Sequence, residues 1–205
     1  MRGPGRARYD ERARSSLPNA YLTPEEYLEL ERRAEYKSEY YQGRMFAMSG
    51  ASPAHGLIVG NLVGSLWQQL RQRPCRVYPN DLRLRVSETG LYTYPDVTVV
   101  CGEAKFAEDQ KDTLLNPTVI IEVLSESTRA YDLGDKLHHY RTLPSLTDYL
   151  TVEQDKPRIY HWIRQPVGQG FSAEYSDLAQ SIQLPSIGCV LALANVYENI
   201  EWPDA

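Results

Sequence analysis

The feature that most constrains this chain is a continuous apolar run, Val119–Leu124, which contains a single acid, Glu122. An unbroken apolar run of this length is typical of a strand that is buried on both faces in the middle of a sheet. A carboxylate in such a strand is costly unless a cation or a hydrogen-bonding partner meets it. Glu122 is therefore either half of a structural ion pair or part of a functional site.

A second isolated acid, Asp96, stands at the entry of another apolar run. The sequence Tyr94-Pro95-Asp96 leads into Val97–Val100, and proline is tolerated at the start of a strand. Alone, Asp96 fits a turn. If the two strands are neighbours, however, the carboxylates of Asp96 and Glu122 repel each other, and a hard divalent cation such as Mg²⁺ relieves that repulsion with oxygen ligands.

The remaining periodicities predict alternating helices and strands. Helices are expected over residues 23–34, 52–73, 132–141 and 191–198, the second because apolar residues recur every three to four positions after Ser52-Pro53. Strands are expected over 40–48 (as a hairpin around Gln42-Gly43), 75–79, 82–86, 94–100, 119–124, 148–153, 158–163, 171–175 and 181–184. This order predicts an α/β or α+β fold, with one mixed sheet and helices packed on it.

Charge is distributed unevenly along the 205 residues, whose net charge is −5. Residues 1–20 carry five arginines against Asp10 and Glu11, a balance of +3, so the remainder carries −8. We expect a disordered basic arm over residues 1–20 and a single domain over residues 21–205. The acidic remainder has no evident basic face, which counts against tight binding of duplex DNA.

Several classes of protein are excluded. No stretch approaches the roughly 20 apolar residues of a membrane span, and the N-terminus is not a secretory signal, so a cytoplasmic location is expected. The three cysteines, Cys75, Cys101 and Cys189, are far apart with no Cys-x-x-Cys pair. We therefore expect buried free thiols rather than a disulfide framework or a zinc ribbon.

The order of the motifs resembles the Uma family of endonucleases in the PD-(D/E)XK superfamily. The resemblance covers about residues 20–202 and is carried by Glu39-Tyr40-Tyr41-Gln42-Gly43, Ser52-x-x-His55, Pro95-Asp96, Glu122-Val123-Leu124-Ser125 and Asp132-x-x-x-Lys136-x-x-x-Tyr140. It implies a restriction-endonuclease-like mixed β-sheet flanked by helices. It also implies a Mg²⁺- or Mn²⁺-dependent endonuclease that hydrolyses DNA with a metal-activated water.

The resemblance also implies roles for individual residues. Asp96 and Glu122 would ligate the metal, together with the backbone carbonyl of Val123. The lysine of the superfamily normally stands two residues after the glutamate, where this chain has Leu124. Lys136, on the following predicted helix, is the natural substitute; otherwise it is a surface lysine that pairs with Asp132 across one helical turn.

Three further positions are more ambiguous. Glu39 matches the early acid of the family and either contacts the metal or is a surface strand residue. His55 lies in the first turn of a helix, where it either contacts phosphate or shuttles a proton, or has a structural role. Tyr140, one turn past Lys136, is interpreted as a core residue.

Two other functions remain open at this point. The chain could be a non-catalytic module that keeps the nuclease fold and binds nucleic acid or protein, an option that Leu124 favours slightly. It could also be a hydrolase that cleaves sugars with a carboxylate pair and no metal. A homodimer or higher homo-oligomer is expected, because closed dimers are the commonest assembly, with strands 148–153 and 158–163 as the candidate interface.

Overall fold

The computed structural model describes residues 21–48, 50–107, 111–165 and 170–202. The predicted basic arm over residues 1–20 lies outside the described residues. Contacts divide the chain into two compact units, Met1–Ser49 and Gly50–Ala205, which are described separately. The prediction of a single domain over residues 21–205 therefore stays a prediction.

The N-terminal unit contains one helix and a hairpin, α1 (Pro24–Glu31), β1 (Ser38–Tyr41) and β2 (Arg44–Ala47). Thr23 begins α1 with a capping box, in which its hydroxyl accepts from the Glu26 N–H and its own N–H donates to the Glu26 carboxylate. The hairpin turns at Gln42 and Gly43, which both have positive φ, the conformation for which glycine is favoured. The predicted helix start and turn are thus confirmed, although α1 ends three residues before Ala34.

The second unit contains the remaining elements. Its strands are β3 (Cys75–Pro79), β4 (Arg83–Val86), β5 (Leu91–Thr93), β6 (Val97–Cys101), β7 (Thr113–Leu114), β8 (Val119–Leu124), β9 (Asp148–Glu153), β10 (Ile159–Ile163), β11 (Phe171–Tyr175), β12 (Ser181–Leu184) and β13 (Cys189–Ala192). Its helices are α2 (Pro53–Leu70), α3 (Arg129–Tyr131), a π-helical turn (Asp132–Lys136), α4 (Leu137–Tyr140) and α5 (Leu193–Val196).

A six-stranded mixed sheet, in the order β11-β10-β9-β8-β6-β3, organises this unit. Strand β8, the apolar run that contains Glu122, pairs antiparallel with β6 and parallel with β9. All six of its residues are buried, as its unbroken apolar sequence predicts. The chain passes from β8 to β9 through the helical segment 129–140, as a parallel pair requires.

The two faces of this sheet have different partners. One face packs against α2 and the β12–β13 hairpin, and its core contains Ile58, Leu62, Leu66 and Leu70 of α2. These four residues follow the four-residue spacing seen in the sequence. Glu122 belongs to the opposite face, because neighbouring residues of a strand alternate between faces. On that face the ring of Tyr140 lies against that of Tyr149, with the centroids 5.2 Å apart.

Two sequence-based expectations about the strands are wrong in detail. The predicted strand over residues 94–100 begins only at Val97, so that Asp96 lies between β5 and β6 rather than within a strand. Leu191 and Ala192 belong to β13 rather than to the helix predicted over residues 191–198, which begins at Leu193. The strands predicted as a dimer interface, β9 and β10, are interior strands of the sheet. Tyr149 and Trp162 on them are buried and Tyr160 is half-buried, and the interface stays a prediction.

The prediction of three free cysteines is also wrong for one pair. Cys75 and Cys101 face each other across β3 and β6 and form a disulfide, whereas Cys189 is free and buried. The spacing of 26 residues hid this pairing, because only the order of the sheet brings the two strands together. Cytosolic thiols usually stay reduced, so the disulfide counts against the predicted cytoplasmic location.

Hydrogen bonds to the buried Asp148 carboxylate join the sheet to the turn between β12 and β13. His161 Nε2 lies 2.8 Å from Asp148 Oδ1, and the hydroxyls of Ser186 and Thr147 donate to Asp148 Oδ2. Burial by itself raises the pKa of the Asp148 carboxyl, but the hydrogen bonds from His161, Ser186 and Thr147 outweigh it, and the net pKa is lowered. The charged carboxylate therefore stabilises the fold.

We predict that Asp148→Asn lowers the free energy of unfolding by about 3 kcal/mol, as expected when a buried pair loses one partner. Because the pKa of Asp148 is lower in the folded state, its contribution is present above pH 3.8 and is lost as the pH falls through the folded-state pKa. Urea unfolding at pH 7 and pH 3 checks both points. The exposed Asp155→Asn variant is the control, and equal losses in the two variants would contradict the prediction.

Candidate active site

The pairing of β6 with β8 brings the two isolated acids together. Val97 is opposite Ile121, so continuing the antiparallel register by one residue places Asp96 opposite Glu122. The Asp96 N–H points at Glu122 Oε2, 3.4 Å away. The side chains of both acids are buried, with residue exposures of 8% for Asp96 and 3% for Glu122.

Asp96 replaces a missing backbone partner at the end of the ladder. Because β6 begins at Val97, the N–H of Val123 has no strand residue opposite it, and it donates to Asp96 Oδ2 at 2.7 Å. The carbonyl of Val123 is directed toward the same neighbouring strand as its N–H, as in a ladder of exchanged hydrogen bonds. The Val123 carbonyl therefore lies on the Asp96 side of β8.

His55 contacts the other oxygen of Asp96. Its Nε2 lies 2.9 Å from Asp96 Oδ1. Helix α2 carries His55 in its first turn, and the helix start is fixed because the Ser52 hydroxyl accepts from the His55 N–H. The sequence suggested a role at phosphate or a structural role for His55. The structure places it directly on a carboxylate of the site.

Lys136 and Tyr140 converge on one oxygen of Glu122. The Lys136 ammonium lies 3.1 Å from Glu122 Oε1, and the Tyr140 hydroxyl donates to the same atom at 2.7 Å. Both side chains come from the segment 129–140, where residues four apart lie on one side of a helix. Glu122 Oε2 is thereby left on the side that faces Asp96.

Lys136 is a buried residue, contrary to the interpretation as a surface lysine. Its residue exposure is 5%, and its ammonium pairs with Asp132 as well as Glu122, at 3.1 Å each. The contact between Lys136 and Asp132 is the pairing across one helical turn that the sequence suggested. The π-helical turn between Asp132 and Lys136 belongs to a class that is frequent at functional sites.

Burial is the largest influence on the charge of Glu122. It raises the pKa of Glu122 to about 8, with the neighbouring acids Asp132 and Asp96 adding to the rise, while Lys136 and Tyr140 act in the opposite direction. Burial and the neighbouring acids therefore favour the protonated form of the Glu122 carboxyl, and a further cation would favour the charged form. The single positive charge of Lys136 does not neutralise the three neighbouring acids, Glu122, Asp132 and Asp96. A further cation at the site would offset the remaining negative charge.

The donors present fit a hard divalent cation held by few protein ligands. No group of three or more His, Cys, Asp or Glu side chains that could hold a metal occurs in the residues that the structure describes. Mg²⁺, however, is usually bound through one or two carboxylates and keeps several waters. The two carboxylates and the Val123 carbonyl satisfy that requirement.

The structure brings together Asp96, Glu122, Val123, Lys136 and His55 among the residues singled out from the sequence. Glu39 lies in β1 of the N-terminal unit, and its role at a metal stays a prediction. Tyr140 was assigned to the core alone. It is indeed buried, but its spacing of four residues from Lys136 was the signal that it also reaches Glu122.

Comparisons with known proteins identify related chains. The model of the Uma2 family, described as "Putative restriction endonuclease", matches residues 24–194. The chain is 38% identical over 147 residues to the uncharacterized protein sll1609 of Synechocystis sp., covering 72% of this chain and 82% of that protein. It is 34% identical over 187 residues to slr1290 of the same organism, covering 90% and 96%.

The fold is also found in a solved structure. The crystal structure of a putative nuclease belonging to DUF820 from Anabaena variabilis superposes with a TM-score of 0.71 at 19% identity. The match covers 86% of this chain and 97% of that one. The similarity confirms the predicted mixed α/β fold of the restriction-endonuclease-like type.

We predict that the stability of the protein in a chelating buffer falls as the pH rises from 4.5 to 8. Glu122 has a raised pKa in the folded state, so the folded protein binds its proton more tightly in this window and loses that advantage as the pH passes the folded-state pKa. Urea unfolding across the window measures the effect, and Glu122→Gln should flatten it. Equal slopes in the two proteins would contradict the assignment.

Tyr140→Phe should move this pH dependence to higher pH, because the Tyr140 hydrogen bond lowers the pKa of Glu122. It should also lower the free energy of unfolding by about 1–3 kcal/mol through loss of a buried hydrogen bond. Tyr27→Phe is the matched control, since that buried hydroxyl donates to the Ser38 carbonyl. If the midpoint of the pH dependence of stability is the same in Tyr140→Phe as in the wild type, the role of Tyr140 is packing alone.

Proposed function

The chain belongs to the Uma2 family of putative restriction endonucleases, and from this premise we propose that it is a metal-dependent endonuclease that hydrolyses phosphodiester bonds of DNA. The observation that carries the proposal is the meeting of Asp96 and Glu122 across β6 and β8, with the Lys136 ammonium on Glu122. Family membership supports a nuclease. The cation, DNA as the substrate and the roles of the residues are proposed beyond what family membership supports.

Asp96, Glu122 and the Val123 carbonyl would hold Mg²⁺ or Mn²⁺. When bound, such a cation supplies an activated water and neutralises charge that develops on the phosphate. The two carboxylates are prepared for this role because each is anchored by protein donors. Asp96 is oriented by His55 and the Val123 N–H, and Glu122 by Lys136 and Tyr140.

Lys136 would take the place of the lysine that the superfamily carries two residues after the glutamate. Leu124 occupies that position here and is buried. The ammonium of Lys136 reaches the same carboxylate from the helical segment, so its positive charge is available to orient water or to stabilise a phosphate oxygen. His55 holds Asp96 in place and can exchange a proton through its ring nitrogen.

Some expectations stay predictions beside this proposal. These are the role of Glu39, the homodimer and the cytoplasmic location. None of the helices in the described parts of the chain is both long and apolar enough to cross a membrane. A non-catalytic module that keeps the fold is the principal alternative, and it differs from the proposal in one measurable respect, which is cleavage.

We predict that the purified protein cleaves DNA with Mg²⁺ or Mn²⁺ and not in the presence of a chelator. Glu122→Ala should abolish both the cleavage and the saturable heat of Mg²⁺ titration. Lys136→Met should lower the rate by at least about a hundredfold, within the range for loss of one donor that stabilises developing charge. The exposed Lys111→Met variant is the control and should cleave as the wild type does.

Metal binding without cleavage of duplex or single-stranded DNA would favour the non-catalytic module. Cleavage that persists in the chelator would contradict the assigned chemistry. Equal cleavage rates for Lys136→Met and Lys111→Met would show that Lys136 has no part in the reaction. The assignment of the carboxylate pair would be unaffected.

A further inference from the structure

An arginine at the start of α3, on the connection that follows β8, is held in place by a buried acid that the proposed chemistry does not use. Arg129, the first residue of α3, donates from Nε and Nη2 to Glu153 Oε1, at 2.9 and 2.6 Å. Glu153 is the last residue of β9. The Glu153 side chain is 4% exposed, whereas that of Arg129 is 42% exposed.

This pair lies on the same face of the sheet as the two catalytic acids. In the parallel register Glu122 is opposite Thr151 and Leu124 is opposite Glu153, so Glu153 is one strand across and two residues along from Glu122. Strand spacing and rise place their Cα atoms about 8 Å apart.

The surrounding edge is rich in hydrogen-bonding groups. The hydroxyls of Ser125, Ser127 and Thr128 cluster in the loop between β8 and α3. The Ser52 hydroxyl, at the start of α2, donates to the side-chain carbonyl of Gln154, the residue after Glu153. The same helix start carries His55 to Asp96, so this edge is continuous with the carboxylate site.

The arrangement holds the guanidinium at Glu153 and leaves part of the Arg129 side chain exposed. Glu153 accepts from two of its nitrogens through a single oxygen, and Glu153 and Tyr160 hold the pKa of Arg129 above its usual value. A guanidinium carries five donors in a rigid fork suited to phosphate oxygens. An arginine already held by an acid loses less conformational entropy when it binds a further anion.

We propose that Arg129 binds a backbone phosphate of the nucleic acid beside the phosphate that lies at Asp96 and Glu122, with Glu153 as its positioning residue. The inference rests on the proposed function. A contact to a phosphate that does not react strengthens binding of substrate and transition state alike, so it acts on KM rather than on kcat. The contact also contributes to the salt dependence of binding, because it releases counterions.

The alternative is that Arg129 only neutralises the buried Glu153. Four proteins separate these roles: the unaltered pair, Arg129→Gln, Glu153→Gln and the double variant. DNA affinity is measured at several salt concentrations, with Glu122→Gln present in all four to prevent cleavage. KM and kcat are measured without that substitution. Arg33→Gln, which removes an exposed arginine paired with Glu29, is the control.

Arg129→Gln should weaken DNA binding about tenfold and make the slope of log K against log salt less steep by about one. Its KM should rise about tenfold, with kcat within twofold of the wild type. The double variant also removes the buried charge of Glu153, which Arg129→Gln leaves unpaired, so the double variant keeps the fold. Its DNA binding should remain as weak as that of Arg129→Gln. Thermal unfolding confirms that each variant is folded.

Recovery of the original affinity and slope in the double variant would overturn the proposal, because the arginine would then serve only Glu153. An unchanged slope in Arg129→Gln would also overturn it. A wild-type protein that binds DNA without cleaving it would contradict the proposed endonuclease, and the slopes would still decide the role of Arg129. A protein that binds no DNA would contradict both.

Discussion

The antiparallel pairing of β6 with β8 is the interaction on which the site depends. It places Asp96 opposite Glu122 at the point where the ladder ends, and Asp96 accepts the Val123 N–H that a longer strand would have bonded. The unpaired end of the ladder is thus satisfied by a carboxylate that is also a candidate metal ligand. A substitution at Asp96 would therefore disturb the end of the sheet as well as the chemistry.

The helical connection between β8 and β9 supplies the positive charge that this pairing needs. A parallel pair requires a long crossover, and here the crossover folds back over Glu122 with Lys136 and Tyr140. In the proposed chemistry a lysine on the crossover would replace a lysine on the strand, because the Lys136 ammonium lies at Glu122 although Leu124 is a buried apolar residue. The same crossover begins with Arg129, so it borders both proposed phosphate positions.

The sequence predicted the acids better than it predicted their partners. Glu122 and Asp96 were found because a charge in an apolar run is conspicuous, and the continuous run of β8 identified a central strand. The contacts of His55 and Arg129 could not be found in this way, since each joins segments whose proximity only the sheet order determines. The disulfide was missed for the same reason, and Asp96 was placed within a strand because local propensity does not reveal where a ladder ends.

The central claim is that Asp96 and Glu122 together form a divalent cation site. A crystal structure of the protein soaked in Mn²⁺, with anomalous data, tests this most directly. We expect an anomalous peak within bonding distance of Asp96 and of Glu122 Oε2, with Lys136 retained on Oε1. Saturating Mn²⁺ with no peak between the two carboxylates, and with the His55 and Tyr140 contacts unchanged, would contradict the account.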